Sequence, residues 1–198
     1  MKKKLLVSAC AFLALSLCAQ TKKGNWVVSG STTLGFDNTS TKFKSGNITI
    51  SGPKTNKFTI TPSAGYFVMD NLSIAVDLEF TSRSTKYEEE NIKDTNNAFA
   101  ILPTATYYFT DSKVIKPYVG AGIGYASITE KEEYRGRTTS DTTNGLAWKV
   151  KGGIAYFLKR NVAADLGISY SQFSSSDNGI TTHVNNFGIG VGISVFFK

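Results

Sequence analysis

The feature of this sequence that most limits its fold is an alternation of apolar and polar side chains with a period of two residues. It begins at Asn25 and recurs in eight segments of about 12 to 14 residues. Successive side chains of a β-strand point to opposite faces, so each segment predicts a strand with one apolar and one polar face. Crossing a bilayer takes about 9–11 strand residues, so each is long enough to span. The segments are 25–36, 57–68, 72–83, 98–110, 117–128, 145–157, 162–174 and 184–197.

Short and long connections alternate between these segments. The short connections are 69–71, 111–116 and 158–161, and the long, polar ones are 37–56, 84–97, 129–144 and 175–183. Outer-membrane barrels have tight periplasmic turns, long external loops and both termini in the periplasm. The sequence therefore predicts an all-β protein, an eight-stranded antiparallel up-and-down transmembrane β-barrel.

Aromatic side chains on the apolar face collect near both ends of the predicted strands. Within a strand the two groups lie 8 to 10 residues apart, which is roughly 20–25 Å along the membrane normal for a tilted strand. The apolar band of an outer-membrane barrel is about 25 Å tall, so we predict two aromatic girdles; a soluble barrel is the alternative. The predicted girdle residues are Trp26, Phe36, Phe58, Tyr66, Phe80, Phe99, Tyr107, Tyr125, Trp148, Tyr156, Tyr170, Phe187 and Phe197.

The first twenty residues have the character of a cleaved signal peptide. Met1–Lys4 is basic, and Leu5–Leu17 is an apolar run of thirteen residues. A spanning helix needs about 20 residues, so this run is too short to be one. Cleavage is predicted after Ala19 or Gln20, which leaves 21–198 as the barrel domain.

The composition excludes several kinds of chemistry. Cys10 and Cys18 are the two cysteines of the chain, and both lie in the signal segment. The mature chain is therefore predicted to have no disulfide and no thiol nucleophile; lipidation at Cys10 is an alternative, but cleavage there would leave too short an apolar core for export. The formal charge of +7 falls to +4 without the three signal-peptide lysines. This scattered excess gives nucleic-acid binding little support.

Five charged residues fall on the polar face, which a membrane barrel turns inward. Asp77 and Glu79 lie on the third segment, Lys149 and Lys151 on the sixth, and Asp165 on the seventh. Unpaired charges inside a barrel are costly, so we expect an ion network across the lumen. Glu79 and Lys151 are equally far from the short turns and are predicted to pair. Asp77 or Asp165 is the alternative partner.

Several motifs resemble the eight-stranded outer-membrane barrel family that includes the OmpA membrane domain and OmpX. They are Ala64-Gly65-Tyr66-Phe67-Val68 before the Asp70-Asn71 turn, the glycine-rich run Pro117–Tyr125, and the apolar last segment. The resemblance implies an outer-membrane location in a Gram-negative bacterium. It also implies that the barrel assembly machinery reads the last strand, although Lys198 follows the terminal aromatic. The implied assembly signal is Ile189, Val191, Ile193, Val195 and Phe197.

The predicted function is a structural or surface-interaction role of a monomer, with loops 37–56, 84–97 and 129–144 as the contact surface for a ligand. Outer-membrane lipid is the expected surrounding partner. Lipopolysaccharide phosphates are a further candidate partner, met by the lysines of the first loop. A narrow channel for small solutes is the alternative, because inward-facing glycines on the fifth and last strands would leave a slot. The first-loop lysines proposed to meet lipopolysaccharide phosphates are Lys42, Lys44, Lys54 and Lys57.

Catalytic groups are scarce, and we predict no enzyme, no cofactor and no metal. The single histidine, His183, lies near a serine-rich loop that contains Asp177. A triad for a surface-lipid hydrolase can be drawn from them, but serine-rich loops are common. The acidic residues Glu88–Glu90 and Glu130, Glu132 and Glu133 could bind divalent cations through oxygen ligands, but they are interpreted as solvated loop charges. The serines concerned are Ser174, Ser175 and Ser176.

Overall fold

The computed structural model of the protein describes residues 20–33, 39–45, 48–87, 92–110, 112–134, 137–177 and 180–198. Within these ranges it contains nine antiparallel strands and no helix long and apolar enough to cross a membrane. The strands are β1 (Trp26–Thr33), β2 (Thr39–Ser45), β3 (Ile48–Met69), β4 (Leu72–Tyr87), β5 (Ile92–Tyr108), β6 (Ile115–Tyr134), β7 (Arg137–Lys159), β8 (Val162–Asp177) and β9 (Ile180–Phe197).

Eight of these strands form a closed ring. From β3 to β9 each strand pairs with its neighbours in sequence, and β1 pairs with both β3 and β9. Trp26 stands opposite Tyr66 of β3 and Phe197 of β9 in the two registers. The remaining strand, β2, pairs with β3 and forms an added hairpin in the first long connection. The predicted eight-stranded up-and-down barrel is thus confirmed.

The strands run further than the sequence predicted, and the predicted long loops are mostly hairpin. β6 continues to Tyr134 and β7 begins at Arg137, so most of the predicted loop 129–144 is paired strand. The same holds for 84–97, where β4 ends at Tyr87 and β5 begins at Ile92. These extensions are polar on both faces, so they show no apolar alternation, and threonine-rich sequence there favours strand. The long-loop predictions were therefore wrong in conformation.

The barrel has two distinct ends. The end that carries the short connections 70–71, 109–114 and 160–161 also holds the start of β1 and the end of β9. We call it the turn end. At the opposite end the paired strand extensions project beyond the ring, and we call it the hairpin end.

The barrel strands turn apolar side chains outward. On β4, Ile74, Val76 and Phe80 are 44–46% exposed. Between them, Ala75 and Asp77 are at most 7% exposed. Soluble proteins rarely expose a continuous apolar surface of this kind, because it drives association in water. The outward face is therefore suited to lipid.

A short segment before β1 folds under the turn end. The Thr21 side chain is 1% exposed, and its hydroxyl donates to the Asn71 side-chain oxygen. In return, the Asn71 N–H donates to the Thr21 carbonyl at 2.6 Å. Asn71 has φ 64°, a left-handed turn conformation that asparagine tolerates. The β3–β4 turn and the segment before β1 thus hold each other.

The Asp70 carboxylate also holds the segment before β1 in place, through a hydrogen bond and an ion pair. The carboxylate accepts the Lys23 N–H at 2.9 Å and lies 3.1 Å from the Lys22 ammonium. The Lys23 backbone hydrogen bond, followed by the hydrogen bond from Lys22, holds the pKa of Asp70 below its usual range. A lowered pKa means that these contacts stabilise the fold above about pH 4 and are lost as the pH falls through the folded-state value.

We predict that Asp70→Asn loosens this segment and leaves the barrel intact, because the amide accepts the hydrogen bonds without charge. Amide hydrogen exchange at neutral pH should show faster exchange at Lys23 and Gly24 and unchanged exchange in β4. Below the folded-state pKa the variant and the parent protein should converge. Equal protection of the two proteins at neutral pH would contradict the prediction.

Candidate functional site: a filled lumen beneath projecting hairpins

Aromatic residues occur in adjacent pairs at the turn end of four strands. Because neighbouring strand residues face opposite sides, one ring of each pair points outward and the other inward. The inward rings pack together, with centroids 5.1 Å apart for Phe157 and Phe196 and 5.8 Å apart for Phe67 and Tyr108. We call these buried rings, with Val27, the aromatic floor. The pairs are Tyr66-Phe67, Tyr107-Tyr108, Tyr156-Phe157 and Phe196-Phe197.

The sequence analysis missed the aromatic floor, because it treated the inward face as polar throughout. Phe67 and Phe196 are 0% exposed, and their ring centroids lie 6.1 Å apart. The signal was the adjacency itself: in an alternating strand, two consecutive aromatic residues cannot both face outward. Four such pairs at the same end of the barrel predict an inner aromatic cluster there.

Above the floor, charged side chains of β4 and β7 meet across the lumen. The Lys149 ammonium lies 2.6 Å from a Glu79 carboxylate oxygen, and the Lys151 ammonium lies 2.7 Å from Asp77. Ser63 of β3 donates a second hydrogen bond to Asp77 at 2.6 Å. The Asp77 side chain is 2% exposed, so its charge depends on these partners.

The predicted Glu79–Lys151 pair is wrong. Lys151 pairs instead with Asp77, the next inward residue of β4 towards the turn end, and Glu79 pairs with Lys149. The reason is barrel stagger: tilted strands with a fixed shear put residues at equal distance from their turns at different depths. Counting along strands thus identified the strands that meet but not the pairs.

Asp165, the fifth residue of the predicted network, takes a separate partner. Its carboxylate accepts a hydrogen bond from Ser194 of β9 at 2.5 Å. Among the described residues, no lysine lies within ion-pair distance of Asp165. The charged layer is therefore two cross-lumen ion pairs beside a separate serine–aspartate contact.

The inward glycines make room for side chains. A Cβ placed at Gly120 would lie 3.1 Å from the Lys151 Cε, and one at Gly167 would lie 2.7 Å from the Tyr118 hydroxyl. On the fifth predicted strand, the slot that the sequence suggested is thus occupied at Gly120 by the Lys151 stem. Gly167 of β8, which was not part of that prediction, makes room for the Tyr118 ring. Larger residues there would collide with the groups that fill the lumen.

A second apolar layer lies on the hairpin side of the charges. It consists of Leu102, Ala126, Ala147 and Phe173, each at most 8% exposed. The lumen is consequently filled at three levels, by the aromatic floor, the ion pairs and this layer. Side-chain filling is what the width of an eight-stranded barrel allows.

The outward aromatic residues contact one another in pairs near both ends. At the turn end, Trp26 and Tyr66 have ring centroids 5.1 Å apart. Towards the hairpin end, Phe80 and Phe99 lie 4.8 Å apart and Trp148 packs on Tyr170 at 5.6 Å. Phe36 lies outside the described residues, and the role of the set as membrane girdles stays a prediction. Also outward and exposed are Phe58, Tyr107, Tyr125, Tyr156 and Phe187.

The structure brings His183 to a serine, as a triad would require, but not to a carboxylate. The Ser174 hydroxyl lies 2.8 Å from His183 Nδ1, and the two residues are cross-strand neighbours in β8 and β9. In the described part of the chain, no acid hydrogen-bonds to this histidine, and the Asp177 side chain lies outside that part. No cluster of His, Cys, Asp or Glu among the described residues is arranged to hold a metal ion.

We predict that Asp77→Asn and Lys151→Met each destabilise the barrel by roughly 3–5 kcal/mol, because each leaves the charge of the other residue unpaired inside the barrel. The double variant should lose less than the sum, with a coupling of about 0.5–3 kcal/mol. Urea unfolding in lipid vesicles measures these losses. The control cycle pairs Glu79→Gln with Lys151→Met and should show weaker coupling. Stronger coupling in the control cycle would show that the observed pairing is incorrect.

Comparison with known proteins places this geometry in a family. The sequence matches the family described as outer membrane protein beta-barrel domain over residues 5–194. It is similar to "Putative adhesin RC1281" of Rickettsia conorii, with 27% identity over 154 residues, covering 69% of this chain and 61% of that protein. It is also similar to "Uncharacterized outer-membrane protein y4mB" of Sinorhizobium fredii, with 30% identity over 95 residues, covering 47% of this chain and 42% of that protein. The chain spans less than two thirds of both relatives.

Solved structures show the same fold. Neisserial surface protein A is 19% identical, with a TM-score of 0.51, over 87% of this chain and 97% of its own. The attachment invasion locus protein Ail of Yersinia pestis is 15% identical, with a TM-score of 0.52, over 88% and 99%. A second structure of Ail is a complex with the heparin analogue sucrose octasulfate, at 12% identity and a TM-score of 0.53, over 88% of this chain and 99% of that one.

Proposed function

The chain belongs to the outer membrane protein beta-barrel domain family, and we propose that its barrel anchors the projecting hairpins as a surface for contact with other cells or molecules. Outer-membrane barrels have short turns on the periplasmic side and larger connections outside. The turn end, with both termini, is accordingly the periplasmic end, and the hairpin end faces the exterior. Cleavage of the signal segment leaves the Thr21 region free to fold under the barrel.

The observation that carries this proposal is the paired extension of β6 and β7. Tyr134 lies nine residues beyond the outward Tyr125, a distance of roughly 30 Å along the strand. Throughout this length β6 pairs residue by residue with β7, and Tyr134 stands opposite Arg137. A paired hairpin is already ordered, so contact with a partner costs less conformational entropy than ordering a loose loop.

The filled lumen supports an anchoring role over transport. The three layers place bulky or charged side chains across the interior of the ring, including Phe67 and the Asp77–Lys151 pair. An adhesin-named relative and an attachment protein of the same fold are consistent with contact at the cell surface. The contact surface we propose comprises the connections 37–56, 84–97 and 129–144.

We predict that trimming the β6–β7 hairpin reduces attachment. Residues 131–140 are removed, and Glu130 and Asp141, which are register partners, are joined by Asn-Gly, a turn dipeptide that suits hairpins. Displayed on a non-adherent bacterium, this variant should bind cultured epithelial cells about tenfold less than the parent, a loss of about 1.4 kcal/mol.

The matched control for this experiment is Arg135→Asn, which introduces the same turn dipeptide at full hairpin length. It should attach like the parent protein. Surface amounts are equalised by antibody labelling of an epitope tag. If the trimmed variant and the parent attach equally at equal surface amounts, the β6–β7 hairpin is not the contact surface.

Assembly into the membrane is proposed to depend on the outward residues of β9. Ile189 and Ile193 are at least 50% exposed on the outward face, whereas Phe196 belongs to the aromatic floor. In the resembled family, the barrel assembly machinery reads such a strand up to its terminal aromatic. Deleting Phe197 together with Lys198 removes only the outward ring and keeps Phe196.

We predict that this two-residue deletion lowers the amount of folded barrel, whereas deletion of Lys198 alone changes it little. Folded barrel is measured as the fraction with altered gel mobility when the sample is not heated. The deletion of Lys198 alone is the control, because it shortens the chain but keeps the outward ring. Equal losses from both deletions would place Lys198 within the signal.

A further inference from the structure

A groove on the outward face of β3–β5 lies near the hairpin end. Its volume is about 360 Å³, and it is bordered by Phe58 on one side and by Phe80 and Phe99 on the other. Phe58 is 61% exposed, and the other two rings are in contact with each other. The groove lies on the outward surface, where membrane lipid is the surrounding medium, so its walls suit an acyl chain.

The groove becomes polar towards the hairpin end. Ser82 and Asn97 stand opposite each other in β4 and β5, and the Ser82 hydroxyl donates to the Asn97 side-chain oxygen at 2.8 Å. Both residues line the groove together with Thr129 of β6. The groove thus changes from phenylalanine rings to hydroxyl and amide groups. A lipid changes in the same direction, from its apolar acyl chain to its polar head group.

Beyond the polar step, the register aligns three lysines. Lys86 of β4 stands opposite Lys54 of β3 on one side and Lys93 of β5 on the other. Lys86 is exposed and lies four residues beyond Ser82, roughly 10 Å along the membrane normal for a tilted strand. Like charges directly opposite each other destabilise a sheet, and a bound anion would relieve that repulsion.

Among the described residues, the row of mutually opposed lysines spans β3, β4 and β5. Lys93 stands opposite Glu133 of β6, which ends the row on that side. At the same end of β8 and β9, the cross-strand neighbours are neutral, Gln172 opposite Asn185 and Ser174 opposite His183. The apolar groove and the cationic row therefore coincide on one sector of the barrel.

Two other outward grooves lack this combination. One is lined by Ile74, Pro103 and Ile123, and the other by Pro62, Val191 and neighbouring residues. Their volumes are similar, about 380 and 440 Å³. Both lie midway along the strands, away from the lysine row, so they present apolar surface without a counterpart for a charged head group.

We infer that this sector binds one phosphorylated, acylated glycolipid of the outer leaflet, with an acyl chain between Phe58 and Phe80 and its phosphate at Lys86, whose register partners are Lys54 and Lys93. Lipopolysaccharide has this chemistry. The site refines the earlier expectation for the first-loop lysines: Lys57 instead donates to Asn186 at 2.9 Å, while Lys42 and Lys44 lie on β2, outside the row. The inference rests on the external orientation of the hairpin end given above.

The test is a titration of the folded, full-length barrel in detergent with lipid A, followed by native mass spectrometry. The variant Lys86→Gln with Lys93→Gln should bind lipid A at least about tenfold more weakly, equivalent to about 1.4 kcal/mol. It should bind dephosphorylated lipid A as the parent does. Phe58→Ala should weaken both lipids, because the acyl-chain contact is common to them.

The matched control is Lys159→Gln with Arg160→Gln, which removes two positive charges at the turn end and should leave both affinities unchanged. Heat-dependent gel mobility verifies that each variant is folded. Unchanged lipid A affinity in the Lys86 and Lys93 variant, or an equal loss in the control, would overturn the inference. The β6–β7 trimming experiment has a separate readout, attachment to cells, so failure of that prediction can be told apart from failure of this one.

Discussion

Closure of the sheet is the constraint on which the rest of this structure depends. In hydrocarbon there is no water to pair with backbone N–H and C=O groups, so a strand survives only if both of its edges are paired. β1 meets this demand by pairing with β3 on one side and β9 on the other. Once the ring is closed, every barrel strand has one face towards lipid and one towards a narrow interior, and the sequence must serve both.

The interior is organised as a core would be, although a membrane surrounds it. The aromatic floor supplies apolar packing at one end, and the Lys151–Asp77 pair crosses the middle, where the Ser63 hydroxyl satisfies a further acceptor of the carboxylate. Gly120 and Gly167 allow the lysine stem and the Tyr118 ring to fit without displacing backbone. Stability of the ring and filling of its interior are thus achieved by the same side chains.

The sequence predicted the ring of eight strands and its outward and inward faces well, because both follow from the alternation of apolar and polar residues. It predicted less of the parts where alternation carries no information. Extensions such as Thr138–Thr143 are polar on both faces, so the pairing of β6 with β7 beyond the ring was not visible. The partner of Lys151 depended on the stagger between β4 and β7. Counting residues from the short turns does not reveal this stagger. The inward Phe67 was visible in principle, since Tyr66 beside it takes the outward position.

The register between Trp26 and Phe197 has a consequence for how the molecule forms. All neighbouring strands from β3 to β9 join through hairpins, so their contacts are local in sequence and carry a small loop-closure cost. The β1–β9 contact instead joins opposite ends of the barrel chain. The ring therefore cannot close until synthesis and export have delivered the last strand. Until then β1 has an unpaired edge, and the chain must be kept from pairing wrongly during its passage to the membrane.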